Sequence, residues 1–155
     1  MPRPDDGERT VATNRKARYD YAILERYEAG IALTGDEVKS LRGGRASLGE
    51  AFARVRDDEV WLEGMHIPAY EPGNPKTHLP IRPRKLLLHR REIAQLRAAQ
   101  QQDRLALVPL RVYFSHGLAK VELALARGKR RHEKRQAIAR REHEREMRRA
   151  VGRRR

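Results

Sequence analysis

The sequence contains no cysteine, which excludes disulfide frameworks and thiolate metal sites and is compatible with a reducing compartment. Nowhere are eighteen apolar residues consecutive, so no transmembrane helix is expected. Met1 to Arg18 lacks the apolar run of a signal peptide, and the expected location is the cytoplasm, away from any membrane. The six histidines, His66, His78, His89, His116, His132 and His143, show no helical zinc spacing. Gly128 and Lys129 lack the upstream glycine and following Ser or Thr of a phosphate-binding loop. Asp57, Asp58 and Glu59 are three consecutive acids between two strand patterns and read as a turn rather than a metal cluster. No internal repeat is visible. The expectation is a protein that is not an enzyme and needs no cofactor or metal.

What the sequence does have is charge. Charged residues make up 36% and apolar ones 39% of 155 residues, enough to close one small core but too few to make the whole length globular. Thirty-five Lys and Arg oppose 21 Asp and Glu, a net of +14. From Arg127 to Arg155 there are fourteen basic and four acidic residues, and the rest of the chain is nearly balanced. That distribution describes a folded body with a cationic arm and predicts a polyanionic partner, nucleic acid first and an anionic membrane surface second.

Residues 1–13 are polar, hold two prolines and a glycine, and are expected to be a disordered lead-in. Tyr21, Ile23, Tyr27, Ile31 and Leu33 recur at odd positions, predicting one long strand over Tyr19 to Leu33 with Gly30 as a bulge or bend. Thr34 opens a capping box with Glu37, and Gly43 and Gly44 close that short helix. Alternation from Ala51 to Arg56, resuming at Val60 to Leu62, predicts a hairpin through the acidic triplet. Five prolines between Pro68 and Pro83 enforce a long irregular loop. A strand over Arg84 to Leu88, a helix over Arg90 to Gln102 with Ile93 and Leu96 inward, and a hairpin from Leu105 to Ala126 turning at Ser115 to Gly117 complete the body. The expected fold is mainly β, a small antiparallel OB-like barrel over 14–128 with two to three short helices and a basic tail over 129–155.

Lys129 to Arg149 is rich in helix formers and uninterrupted by glycine or proline, yet offers only Ile138, Met147 and a few alanines to pack. Glu142, Glu144 and Glu146 lie within reach of Arg145, Arg148 and Arg149, and such pairs contribute about 0.2 to 0.5 kcal/mol each, too little to hold the helix alone. The tail is therefore expected to be disordered or fraying until a polyanion orders it. A solubilising arm is the plainer alternative.

The strings Asn14 to Arg18, Glu28 to Gly30, Glu37 to Arg42 (EVKSLR), Gly64 to Ile67, Arg82 to Leu88 (RPRKLLL) and Ala126 to Arg135 (ARGKRRHEKR) strongly resemble the small protein B family, the partners of bacterial transfer-messenger RNA. The resemblance implies an OB-like barrel gripping the tRNA-like domain of that RNA, with delivery to the A site of a stalled ribosome. It also implies a tail lying as a helix in the empty mRNA channel beside the small-subunit decoding centre. Elongation factor Tu and alanyl-tRNA synthetase would be met through the RNA, and the protein is expected to be a monomer.

The resemblance assigns RNA contacts to Asn14, whose amide suits sugar or base edges, to Arg15 and Lys16 as phosphate partners, and to Glu28, which suits a base amine or a neighbouring arginine. Leu87 is either an apolar contact for a sugar or unstacked base or a core residue, with Arg84 and Lys85 beside it as phosphate partners. Tyr19 stands where many relatives carry His, so ring stacking survives and protonation is lost. Lys129 and Arg130 match the basic hinge, and His132, Lys134, Arg135, Arg141, Arg148 and Arg149 are the expected ribosome-contacting residues of the tail, with Glu133 replacing a more usual Asp. Two other classes compete with this reading: a permanent structural component that binds ribosomal RNA, and an RNA-modifying enzyme, which lacks a visible catalytic constellation.

Overall fold

The computed structural model describes residues 7–70, 79–102, 105–129 and 131–153, without the side chains of 131–134, 137, 152 and 153. The elements run β1 (Glu8–Thr13), α1 (Arg15–Asp20), β2 (Tyr21–Ile31), α2 (Gly35–Arg42), β3 (Phe52–Arg56), β4 (Glu59–Glu63), β5 (Arg84–Leu87), α3 (Arg90–Gln100), β6 (Leu105–Ser115), β7 (Leu118–Gly128) and α4 (Arg131–Arg153). Every pairing is antiparallel, and the order β6-β3-β4-β5-β2-β7 closes into a ring because β7 also pairs with β6. This is the expected mainly β, OB-like architecture. Inside the ring, Val121, Leu123 and Leu125 of β7 meet Val60 and Leu62 of β4 and Leu86 of β5, while Leu41 of α2 and Leu96 of α3 join the same core. Alternation supplies this face, since successive strand residues point to opposite sides.

Local chemistry fixes the connections. Asp57 and Asp58 (φ 51° and 60°) and His116 and Gly117 (φ 50° and 80°) form two-residue turns in the left-handed region, whose twist matches antiparallel strands. The Thr34 hydroxyl accepts from the Glu37 backbone at 3.3 Å, and the Glu37 carboxylate accepts from the Thr34 backbone at 2.9 Å, the expected capping box of α2. Gly64 has φ +79°, and a Cβ there would lie 2.5 Å from the Glu50 carbonyl oxygen, so this corner after β4 admits only glycine.

Two bulges divide the apolar residues between two cores. The β2 register shifts against β7 between Ile23 and Glu25, so Tyr27, Ala29 and Ile31 face the ring interior whereas Tyr21 and Ile23 pack outside it. The expected single face of odd positions is thereby corrected, and so is the expected bulge at Gly30, which pairs regularly with Leu87 and Lys120. In β6 the shift falls between Pro109 and Arg111, where proline cannot donate a ladder bond. Ala106, Val108 and Leu110 consequently join Ala17, Ala124 and Ala126 in a small outer cluster beneath α1.

Further expectations are corrected at the start of the body. Residues 8–13 are strand β1 rather than disordered lead-in, because β6 beyond its contact with β3 has an edge at Arg111 to Ser115 that β1 covers. The expected strand start at Tyr19 is helix α1, six residues long and too short for apolar periodicity to signal. Met1 to Asp6 lie outside the described residues, as does 71–78 of the proline-rich loop. The described flanks of that loop are tied by bridges from His66 to Ser47 and Ile81 and by a bond from Ile67 N–H to the Pro80 carbonyl. Among the described residues, no helix is long and apolar enough to cross a membrane.

Candidate nucleic-acid interface

Asn14 is buried at 5% exposure. Its amide donates to the carbonyls of Pro109 (3.0 Å) and Leu48 (3.2 Å), its side-chain oxygen caps α1 by accepting from Ala17 N–H (3.1 Å), and its own N–H donates to Leu110 (2.8 Å). The Pro109 and Leu110 carbonyls that Asn14 uses lie at the β6 bulge. The expectation of an amide free for RNA is therefore corrected: Asn14 fixes α1 to the barrel, and through it the exposed Arg15 and Lys16. Asn14→Ala is expected to cost about 2 to 4 kcal/mol, from a lost cap and two stranded carbonyls. A thermal melt checks this, an unchanged midpoint contradicting it.

Glu28 lies on the outer face of β2, directly opposite Glu122 of β7. Like charges so placed repel, and the surroundings compensate them. Tyr113 donates its hydroxyl to Glu28 Oε2 at 2.7 Å, and Lys120 Nζ lies 3.9 Å from Glu28 Oε1. Arg111 donates to Glu122 at 2.6 Å and to Glu8 at 3.3 Å, and Arg26 donates to Glu122 at 3.1 Å. The Arg111 guanidinium also stacks 3.9 Å from the centre of the Tyr113 ring. Burial, then the bond to Glu28, push the Tyr113 phenol above its ordinary pKa, so it remains a donor. For Arg111, burial works against the charge, but Glu122 and Glu8 outweigh it and raise the pKa. The Glu28 carboxylate is thus anchored by one oxygen, with the other beside Lys120.

Glu28 and Leu87 come together on a cleft of about 350 Å³, with Gly30, His89, Glu92 and Lys120 around them. Gly30 makes room for this approach, since a Cβ there would sit 3.3 Å from Leu87 Cβ. Strand β5 alternates, so Leu87 is 53% exposed whereas its neighbour Leu86 is core. That resolves Leu87 in favour of an outward residue.

Arg84 is 0% exposed and donates to Glu37 Oε2 at 2.6 Å and to the Met65 carbonyl at 2.7 Å. It is no phosphate partner, a correction that follows from its inward position on β5. Burial lowers its pKa, against the raising effect of Glu37. Lys85 points outward and pairs with Glu59 at 3.1 Å. Lys16 pairs with Glu50 at 3.4 Å, both exposed.

Arg15 and Tyr19 of α1 face Arg141 and Arg148 of α4, with the Arg141 guanidinium 6.0 Å from the Tyr19 ring centre. Lys129 donates its N–H to Asp20 (2.9 Å) and its Nζ to Arg18 (3.3 Å), joining the end of β7 to α1. Arg135 and Arg149 are exposed on α4. Arg130 and the side chains of His132 and Lys134 lie outside the described residues. Among the described residues, no three of His, Asp and Glu converge as metal ligands.

Sequence reasoning missed Tyr113, Arg111 and Lys120. The signal was present in the His116-Gly117 turn, whose register places Tyr113 opposite Lys120 and Arg111 opposite Glu122.

A family model described as SmpB protein matches residues 11–153. The chain belongs to the SmpB family. It is 58% identical over 150 residues to the SsrA-binding protein of Acidothermus cellulolyticus, covering 97% of this chain and 94% of that protein. It is 60% identical over 151 residues to the SsrA-binding protein of Mycobacterium leprae strain TN, with 97% and 94% covered. A solved structure described as "tmRNA-SmpB: a journey to the center of the bacterial ribosome" superimposes with a TM-score of 0.66 at 50% identity, covering 82% of this chain and 93% of that one.

Proposed function

We propose that the chain binds the tRNA-like domain of transfer-messenger RNA through its β-rich body and delivers it to the A site of stalled ribosomes during trans-translation. The observation that carries this reading is the likeness to SsrA-binding proteins at about 60% identity over 97% of the chain. The body supplies the grip. A carboxylate repels phosphate, so Glu28, with one oxygen bound by Tyr113, accepts from a base amine. Leu87 packs on a sugar or an unstacked base, and Lys120, Arg15, Lys16 and Lys85 neutralise phosphates. Asn14 and Arg84 act by holding the scaffold. Tyr19 stacks on a base.

The tail, with Lys129, Arg130, His132, Lys134, Arg135, Arg141, Arg148 and Arg149, enters the empty mRNA channel near the decoding centre and stands in for codon and anticodon. The protein works in the cytoplasm as a monomer, without catalysis or cofactor, and meets elongation factor Tu and alanyl-tRNA synthetase only through the RNA.

Fluorescence anisotropy with a labelled tRNA-like domain tests the grip. Glu28→Gln keeps shape and removes charge, and is expected to weaken binding about tenfold, equivalent to about 1.4 kcal/mol. Tyr113→Phe keeps the ring under Arg111 and removes the anchor of Glu28, with an expected loss of about three- to tenfold. Both variants should melt near the parent temperature. Unchanged affinity in Glu28→Gln would remove this cleft from the interface.

A further inference from the structure

Arg15 and Arg18 of α1 face Arg140, Arg141, Arg145 and Arg148 of α4 across a cleft of about 630 Å³. On α4, Arg141, Arg145 and Arg148 recur four and three apart and form one helical stripe, with Arg140 adjoining it. Tyr19 is the one ring in the lining and Glu144 the one carboxylate. Among the described residues, no ion pair joins any of these six arginines to an acid.

Six guanidinium groups around one cleft repel one another, and a single acid does not neutralise them. Apolar contact adds little here, because Met147 and Val151 are exposed and Ile138 is only half-buried. Among the described residues, the long-range cation–π contact of Arg141 with Tyr19 is a directional attraction across the gap. The arrangement is electrostatically incomplete without an anion.

We infer that this cleft is a clamp for one RNA strand, whose phosphates lie between α1 and α4 and hold the two helices together. All six cations are arginine and none is lysine, and the guanidinium fork matches two phosphate oxygens at once. A cleft walled by helices on both sides suits a thread-like polyanion and excludes a planar lipid surface. The inference deepens the RNA-binding reading and rests on it, but it concerns α1 and α4 rather than the Glu28 cleft. It also gives the tail helix a state docked on its own body, ordered by RNA.

The absence of native cysteine makes the test direct. The full chain carrying Glu50→Cys and Ala150→Cys, both at exposed positions, is labelled with a dye pair, and energy transfer is followed while octauridylate is added. The expected result is low, broad transfer without RNA and a narrow high-transfer population with it, with a midpoint that weakens steeply as salt rises. Arg18→Ala with Arg145→Ala should raise the midpoint at least about fivefold, the loss expected from two phosphate contacts. Glu28→Gln should leave the response intact, which separates failure of the clamp from failure of the tRNA-like-domain grip. Transfer unaffected by octauridylate, or an equal response to inorganic phosphate at the same phosphate concentration, would overturn the clamp.

Discussion

Glu37→Gln is expected to destabilise the protein by about 3 to 5 kcal/mol, the usual consequence of leaving one buried charge unpaired. Glu37 is 1% exposed and Arg84 0%. The carboxylate accepts from Arg84 Nε at 2.6 Å, from the guanidinium of Arg82 and from the backbone of Thr34 at 2.9 Å. Arg84 donates further to the carbonyls of Met65 (2.7 Å) and Pro80 (3.2 Å). One network therefore ties α2 and β5 to the segments that follow β4 and precede β5. Glutamine cannot replace the charge, and Arg84 has no other acid within reach among the described residues.

The same network sets a pH dependence. Burial favours the neutral form of Glu37, but the bonds from Arg82, Thr34 and Arg84 together outweigh it and hold the pKa below the ordinary 4.5. A carboxylate depressed in the folded state contributes its full stability above the unfolded pKa and loses it as pH falls through the folded one. The gap between parent and Glu37→Gln in urea unfolding should thus be widest at neutral pH and close below pH 4.5. Equal stabilities at pH 7 would contradict this. Replacing the pair by Glu37→Leu with Arg84→Met should recover much of the loss, since a buried ion pair costs desolvation that an apolar pair does not.

Much of the body was legible because its elements carry their own signals. Thr34 with Glu37 announces α2, the acidic turn announces the β3–β4 hairpin, and Val121, Leu123 and Leu125 announce a core strand. What stayed hidden was produced by other parts of the chain. The bulges at Leu24 and Leu110 invert which residues face inward, and nothing local to Tyr21 or Ile23 reveals that. Helix α1 has one buried residue, Ala17, and exists because Asn14 finds carbonyls at a bulge ninety-five positions away. Strand β1 depends likewise on an edge created by β6.

The candidate site divides the same way. Glu28 and Leu87 were identified by resemblance, and the fold brings them to one cleft. Asn14 and Arg84, equally marked by resemblance, are turned inward, because a short string of residues does not say which side of a strand or cap it occupies. Tyr113 anchors Glu28 from a different hairpin, which only the register reveals.

The largest functional effect is expected from ending the chain after Gly128. All seven described strands and the Glu28 cleft lie before that point. Among the described residues, the body loses the two bonds from Lys129 to α1 and the Arg141 contact with Tyr19, and the whole keeps one of the fourteen basic residues beyond residue 126. The shortened protein should keep affinity for the tRNA-like domain within about fivefold, roughly 1 kcal/mol. Its capacity to add a tag to nascent chains on stalled ribosomes should fall by at least about a hundredfold, as expected when many phosphate contacts vanish together.

Measuring both quantities on the same two proteins tests the division of labour between body and tail. Retained RNA binding with tagging abolished is the result this account predicts. Loss of both in parallel, or tagging that survives the truncation, would contradict it.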